Sequence, residues 1–378
     1  MKTSRNSALD VVRMCAILPV LADHYMTFAV KDVPPIYFIM GDFGVTIFFA
    51  LSGFLIGGII LRDFENGFSW TVARNFYARR WMRTIPLYLT FFVVSMFVTF
   101  WGFTLDHNWS VACLAYLVFL QNLAWPMPDW FQESWSLAVE EWFYLLFPAF
   151  FAILSGIRPR TRILIIALLL ITIPLALRFI AYDPSVDFDS HVRRVVVFRL
   201  DAIAYGILAV WAARAFDLSR FSAAIGTIGF AGAVLAALIM IGSIYPGDLF
   251  SRTLTNSLVS ASFAAIVLWA SMQTCPHIGL VGWISTRSYA LYLCNSAVYK
   301  LMVHYGIFAR SASVSLYVFV IGCVVIAEAA HQCIEKPFMR RRPREFHSMV
   351  PNSVDGTTAS HRAGAEARIA DKVDRRRA

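Results

Sequence analysis

The sequence is poor in charge. Only 15% of its 378 residues are Asp, Glu, Lys or Arg, while 58% are hydrophobic. Mean hydropathy is +0.62. A soluble chain of this length needs more charge to cover its surface, so a soluble globular fold is excluded. Acidic residues are the scarcer sign, 24 against 33 basic, and the formal net charge is +9. There is no large polar face to hold nucleic acid; the basic residues sit in short loops between apolar runs, as the positive-inside bias of a membrane protein places them. Cysteine is sparse and scattered (Cys15, Cys113, Cys275, Cys294, Cys323, Cys333), and no pair has the spacing of a metal or redox site. These read as small apolar residues, and no metal is expected. No repeat of fixed period is visible, nor an inverted pair of Gly/Pro-broken segments such as transporters use.

What the chain does have is long apolar runs, at 8–30, 41–61, 85–104, 110–125, 135–154, 162–181, 195–213, 222–244, 254–273, 284–308 and 313–334. Runs of about 20 residues are long enough to cross roughly 30 Å of hydrocarbon, and backbone at that depth must be helical. Lys2 and Arg5 before the first run imitate a signal peptide, but the run is long and carries Asp10, Arg13 and His24, so cleavage is not expected. The loop 62–84 holds Arg62, Arg74, Arg79, Arg80 and Arg83; the loop 155–162 holds Arg158, Arg160 and Arg162. Both belong on the cytoplasmic side. They share it, together with Lys336 to Arg344, only if 110–125 does not cross. That run is the shortest and contains Gln121 and Asn122. The sequence therefore predicts an all-α polytopic bundle of roughly ten crossings with 110–125 re-entrant or interfacial, both termini cytoplasmic, and Arg193 and Arg194 the main basic exception outside. Residues 68–84, basic and aromatic, are expected to lie as a helix at the cytoplasmic surface. Residues 1–338 form the membrane domain, and 339–378 are expected to be a basic, disordered cytoplasmic tail.

An ionisable group at membrane depth costs several kcal/mol unless paired or hydrated, so each marks a functional candidate. Asp10 and Arg13 are three apart and can pair. Arg13 and His24 are eleven apart: eleven steps of about 100° return to within about 20° of the same face, with a rise of about 16 Å. One face thus carries a cation near the cytoplasmic end and an imidazole well up the bilayer, a separation on the order of an extended pantetheine arm. The bland reading is a snorkelling arginine and a satisfied interfacial histidine. In WSLAVEEWFYLLFP, Ser136, Glu140 and Tyr144 share a face and Glu141 points about 100° away, placing one glutamate near the outer interface and the other in the bundle. Glu140 could orient an acceptor hydroxyl, pair with a basic residue or join two helices. Arg199 and Asp201 in FRLDAIAYG read as members of structural ion pairs with other helices. Arg80 and Arg83 in RRWMRTIP are spaced for a phosphate or diphosphate, or are ordinary positive-inside charge. Ser52 and Gly53 in FFALSGFLIG let a helix or a slender ligand approach closely.

Taken together, RNSALDVVRMCAILPVLADHY, FFALSGFLI, FYARRWMRTIPLY, WSLAVEEWFYLLFP, FRLDAIAYG, SYALYLCN and the late EKP resemble the membrane-bound acyltransferase family 3, in order, from about residue 5 to 338. The resemblance implies an acyl-CoA-dependent O-acyltransferase of the bacterial inner membrane. Its donor is commonly acetyl-CoA, a substrate rather than a resident cofactor. Its acceptors are hydroxyls of O-antigens, exopolysaccharides, lipid-linked glycans or similar carbohydrates. The family's arginine–ten residues–histidine motif falls on Arg13 and His24, its Arg-x-x-Arg motif on Arg80 and Arg83, and the acid of its WSL motif on Glu140. Two departures stand out: Thr46 where the family often has aspartate, and Asn295 where it often has histidine. Asn295 can hydrogen-bond but not titrate, which leaves His24 as the titratable group. Some relatives carry a fused hydrolase-like domain; a stand-alone form is expected here.

The expected mechanism has Arg80 and Arg83, helped by Arg13, holding the CoA phosphates. His24 serves as general base on the acceptor hydroxyl, or as the site of a transient acyl group. Glu140 is expected beside it in catalysis. Ser52, Asn122, Tyr144, Trp130 and Asn295 are candidates for contacting substrate or oxyanion, and Trp125, Trp130 and Phe131 for stacking on sugar. Membrane lipids are the other expected partners. The competing classes are a glycan transporter or flippase and an assembly subunit for polysaccharide export.

Overall fold

The computed structural model describes residues 6–65, 67–99, 112–242 and 248–343. The body of the chain is Met1–Arg342; of the remainder, Pro343–Ala378, only Pro343 is described. The expected tail therefore falls almost wholly outside the described residues, while positions 339–341 continue the last helix.

Local chemistry sets the helix starts. Helix α1 (Ser7–Ala29) opens on Asn6, whose side chain accepts from the backbone N–H groups of Ala8 and Leu9 at 2.9 and 3.3 Å, satisfying donors that have no intrahelical partner. Helices α2 (Pro35–Asp63), α3 (Trp70–Val98), the short α4 (Ala112–Ala115), α5 (Ser134–Ile153) and α6 (Pro159–Ile180) follow. In α2 and α6 a proline takes the first turn, where its missing N–H costs nothing. Arg162 then closes α5 by donating to the carbonyls of Phe151, Ser155 and Ile157 at 2.9, 2.6 and 2.7 Å. One of the loop arginines is thus a buried structural clamp. Helices α7 (Leu200–Ala215), α8 (Ser222–Gly242), α9 (Leu249–Ser271), α10 (Gly279–His304), α11 (Ala312–Ala330) and α12 (Lys336–Arg341) complete the chain, with Asp248 and Ser311 capping α9 and α11. Among the described residues there is no strand. Among the described residues eight helices are long and apolar enough to cross a membrane; α7, which is shorter, and α10, which is more polar, are packed among them. The protein is an all-α, multi-pass membrane bundle.

The segment beginning at residue 112 does not form a span. Its helical turns end at Phe119, which adopts a left-handed backbone (φ 58°), and so few residues cannot cross hydrocarbon. Residues 68–84 differ from expectation. They do not form a separate surface helix but are the first half of α3, a single 29-residue helix about 43 Å long. Nothing in RRWMRTIP ends the helix, and running on carries Arg80 and Arg83 into the bundle instead of laying them along its surface.

Close backbone contact fixes the centre. A Cβ on Gly53 would lie 2.0 Å from the carbonyl oxygen of Ile203, and one on Gly206 would lie 2.3 Å from that of Ala50. The two glycines let α2 and α7 touch backbone to backbone, the small-residue packing that serves where lipid tails give no hydrophobic drive between helices. Buried ion pairs knit the neighbouring helices. Arg178 of α6 meets Asp201 of α7 at 2.8 Å and Ser257 of α9 at 2.6 Å. Arg199, fully buried, donates to Asn256 at 2.6 Å and to Thr46 at 3.1 Å.

Candidate active site

Helix α1 lies against α2 and α10, and two chambers open along its length. The inner chamber, about 840 Å³ including its mouth, is lined by Arg13, Arg80, Arg83, Ser52, Glu140 and Tyr144 among others. The outer, about 880 Å³ on the same basis, is lined by His24, Asp23, Glu133, Arg193, Tyr299 and others. Val45 and Tyr292 line both and form the partition. The Tyr292 hydroxyl is held by Ser136 Oγ at 2.8 Å and donates to the Glu133 carbonyl at 3.2 Å. Arg13 and His24, on one face of α1, thus reach different chambers.

The inner chamber is cationic. Among the described residues neither Arg80 nor Arg83 forms an ion pair. Arg13 is 3.7 Å from Asp10, whose Oδ1 also accepts from Ser285 Oγ at 2.6 Å. Among the described residues the one carboxylate lining this space is Glu140, fixed by Ser52 at 2.7 Å and Tyr144 at 2.8 Å. Ser52, Tyr144 and Glu140, expected at the acceptor or in catalysis, are therefore gathered with the arginines, not with His24. Both glutamates of the WSL segment point into the bundle, in place of one at the outer interface. Glu141 is buried and accepts from Thr84 of α3 at 2.6 Å.

In the outer chamber His24 Nδ1 lies 2.5 Å from Asn295 Oδ1. The Asn295 amide nitrogen donates to the carbonyls of Leu291 at 3.2 Å and Tyr292 at 2.6 Å. That end of the amide must be the NH2, so the other end is an oxygen and can only accept. Nδ1 of His24 is therefore the donor, and in the neutral imidazole Nε2 carries the lone pair. The residue that departs from the family pattern is the one that sets the tautomer. Phe28 stacks on Tyr299 (centroids 4.2 Å apart), and with Phe38 and Trp135 these rings wall the chamber.

Arg193 and Arg194, the expected basic exception outside, are neutralised. Arg193 meets Asp42 at 3.2 Å, and both arginines pair with Asp189. Burial pushes the Asp189 carboxyl up, but the two guanidiniums more than offset this and hold it below the ordinary range. The second departure is compensated in the same place. Thr46 bonds the Asp42 carbonyl at 2.9 Å, and the Asp42 carboxylate, one turn earlier, stands 4.0 Å from Arg199. The negative charge that an aspartate at 46 would bring is supplied from 42.

Asn122, Trp130 and Phe131 line neither chamber. Asn122 is buried and pins the backbone carbonyls of Trp135 and Arg194 at 3.1 and 2.6 Å. Its amide nitrogen stitches two segments together, as do the backbone bonds of Val196 and Val197 to Asn122 and Leu123, while its buried amide oxygen has no hydrogen-bond partner among the described residues. Trp130 packs into an aromatic cluster with Tyr116 and Phe92, and Phe131 is fully buried there. Trp125 is half exposed. The aromatic walls that do face the cavity, and Glu133, escaped sequence reasoning. A signal existed for α10: Ser285, Ser288, Tyr289, Tyr292, Asn295 and Tyr299 recur at helical spacing, a polar stripe too regular for lipid contact.

A membrane bundle with a cationic chamber and a histidine chamber meeting at a shared wall is the class this geometry defines. The chain belongs to the acyltransferase family 3: the family model described as an acyltransferase domain matches residues 6–329. It is similar to the peptidoglycan O-acetyltransferase OatA of Listeria monocytogenes, with 23% identity over 359 residues covering 88% of this chain and 56% of that protein. It is also similar to the O-acetyltransferase OatA of Staphylococcus aureus, with 25% identity over 332 residues covering 81% and 54%. YrhL of Bacillus subtilis is 25% identical over 371 residues, covering 90% and 56%. The chain spans about half the length of these curated relatives. No solved structure matches it.

Proposed function

We propose that the protein is a membrane O-acyltransferase of the bacterial inner membrane, moving an acyl group, foremost acetyl, from cytoplasmic acyl-CoA to a carbohydrate hydroxyl. The observation that carries this is the meeting of the two chambers at Val45 and Tyr292, with Arg80 and Arg83 lining one and His24 the other. Two guanidiniums that form no ion pair among the described residues favour a polyanion, and the CoA phosphates meet that need. The pantetheine arm then runs along α1 toward the partition. Glu140 acts on the donor side, aligning Ser52 and Tyr144 at the inner wall. Roughly ten crossings, α7 and α10 included, with both termini cytoplasmic, put this chamber on the side where acyl-CoA is made.

In the outer chamber Nε2 of His24 takes the proton of the acceptor hydroxyl as its oxygen attacks the thioester carbonyl. The carbon–sulfur bond breaks, and the imidazolium returns its proton to the departing thiolate. Similarity to peptidoglycan O-acetyltransferases makes a cell-wall or other surface glycan the acceptor class. The test is transfer of labelled acetyl from acetyl-CoA by purified protein in nanodiscs, with candidate glycans. His24→Ala should insert normally, bind acetyl-CoA and lose transfer by about 10²- to 10⁴-fold. Full activity in that variant removes His24 from the chemistry, and absence of any acetyl-CoA binding by the wild type removes the acyltransferase reading.

A further inference from the structure

The outer chamber holds a group that the transfer chemistry does not use. Glu133 is 2% exposed, and neither of its carboxylate oxygens has a hydrogen-bond partner among the described residues. It lines the same cavity as His24. The other buried charges around this chamber are accounted for: Asp42 by Arg193, and Asp189 by Arg193 and Arg194. Lys300 is the buried cation whose field reaches Glu133, but its ammonium donates to the Trp130 carbonyl. A buried carboxylate with all its lone pairs idle is costly, and in a native protein it calls for an explanation. A cavity beside it supplies one, because donors on a bound molecule can complete what the protein leaves open.

The chamber's charge says what kind of molecule. Asp23, half-buried beside His24, adds a second carboxylate with no ion pair among the described residues. Gly41 leaves room for it: a Cβ there would stand 2.3 Å from Asp23 Oδ2. Asp23, Asp42 and Glu133 line the chamber against Arg193 and Arg194, both of which are already engaged by Asp42 or Asp189, and aromatic faces wall it. Carboxylates accept from paired hydroxyl or amide donors, aromatic rings cover the apolar face of a pyranose, and an anionic ligand would meet like charge.

We propose that Glu133 reads the acceptor: its two oxygens take hydrogen bonds from neighbouring hydroxyl or amide N–H donors of a neutral or cationic sugar, and it excludes anionic ones. This rests on the acyltransferase reading only in taking the outer chamber as the acceptor site, and binding tests it without turnover.

The experiment uses the full chain in nanodiscs and three soluble probes: chitotetraose, its N-deacetylated cationic form, and tetragalacturonate. Dissociation constants are read from tryptophan fluorescence, Trp135 being in the chamber wall, and acetyl-CoA affinity is measured alongside. The wild type should bind the neutral and cationic probes at least tenfold more tightly than the anionic one. Glu133→Gln keeps the shape but removes the charge and half of the acceptor capacity. It should weaken chitotetraose at least tenfold and shrink discrimination against tetragalacturonate below threefold, with acetyl-CoA affinity within twofold of wild type. Glu133→Asp, which keeps the charge, should retain the discrimination. The proposal is overturned by unchanged sugar affinity in Glu133→Gln, by wild-type preference for the anionic probe, or by no binding of any of the three. Parallel loss of acetyl-CoA and sugar binding in both variants would make Glu133 a structural residue and likewise overturn it. Sugar binding as expected but without acetyl transfer would leave this inference standing and count against the transferase reading alone.

Discussion

Replacing Asn295 with alanine tests the catalytic geometry most sharply. In the folded protein His24 Nδ1 and Asn295 Oδ1 are 2.5 Å apart, and the amide is oriented by two backbone carbonyls of its own helix. Alanine removes the acceptor and leaves the imidazole free to turn and to place its proton on Nε2, where it can no longer act as a base. A neutral hydrogen bond contributes about 0.5–1.5 kcal/mol, and a donor stranded in a buried setting costs about 1–3 kcal/mol. About 1.4–2.8 kcal/mol in the barrier corresponds to a roughly 10- to 100-fold fall in kcat. That is smaller than the loss expected for His24→Ala, because the base is misdirected but still present. The proposed donor site, at Arg80 and Arg83, lines the other chamber, so acetyl-CoA affinity should hold. Asn295→Asp makes the complementary point: a carboxylate there would face the carbonyls of Leu291 and Tyr292 with no proton to offer. It should destabilise the bundle by about 1–3 kcal/mol and not merely strengthen the base. The assay is steady-state acetyl transfer in nanodiscs, with thermal unfolding followed in parallel. A kcat within twofold of wild type for Asn295→Ala would refute the assigned tautomer and with it the orientation of His24.

Arg80→Ala should raise the dissociation constant for acetyl-CoA at least tenfold while leaving the protein inserted and folded; unchanged donor affinity by calorimetry would take Arg80 out of the phosphate site. Asp201→Ala strands Arg178, which is fully buried, and should cost about 3–5 kcal/mol, read as a lower detergent melting temperature and poor expression. In the outer loop the carboxyls of Asp183, bonded by Ser185, and Asp189, beside Arg193 and Arg194, lie below the ordinary aspartate range. A depressed folded-state value gives stability that is complete above the unfolded value of about 3.9 and is lost as pH falls through the folded one. Protease cleavage within 183–194 should therefore stay flat from neutral pH down to about 4 and rise only below it; a rise between pH 7 and 5 would contradict the ion-pair arrangement.

The apolar runs, the helical character and the face shared by Arg13 and His24 were legible because each depends on residues close in sequence. Helical periodicity alone relates positions 13 and 24. What separates the two residues into different chambers was not legible, because the partition is made by Val45 of α2 and Tyr292 of α10, and no local pattern brings those together. Glu140 misled for a related reason. Ser136 and Tyr144 do line the same chamber as Glu140, but which neighbour that face meets depends on how α5 turns against α2 and α3. Asn122 shows the converse: a polar residue in an apolar run marks a buried hydrogen bond as readily as a binding site, and only its partners, the carbonyls of Trp135 and Arg194, distinguish the two. Thr46 and Asn295, conspicuous as departures, became intelligible only beside Asp42 and His24.

The partition has a consequence for the membrane itself. Two solvent-sized cavities set end to end through a bilayer would together amount to a hole, and a leak of protons or of CoA would dissipate the gradient and the metabolite pool that the cell maintains. Under the proposed topology, Val45 and the Tyr292–Ser136 pair are the insulation: a side-chain methyl group and a hydrogen-bonded phenol, thin enough for an acyl group to be handed past and closed enough to keep water columns apart. Thinning it, as in Tyr292→Ala, should open a conductance across the membrane.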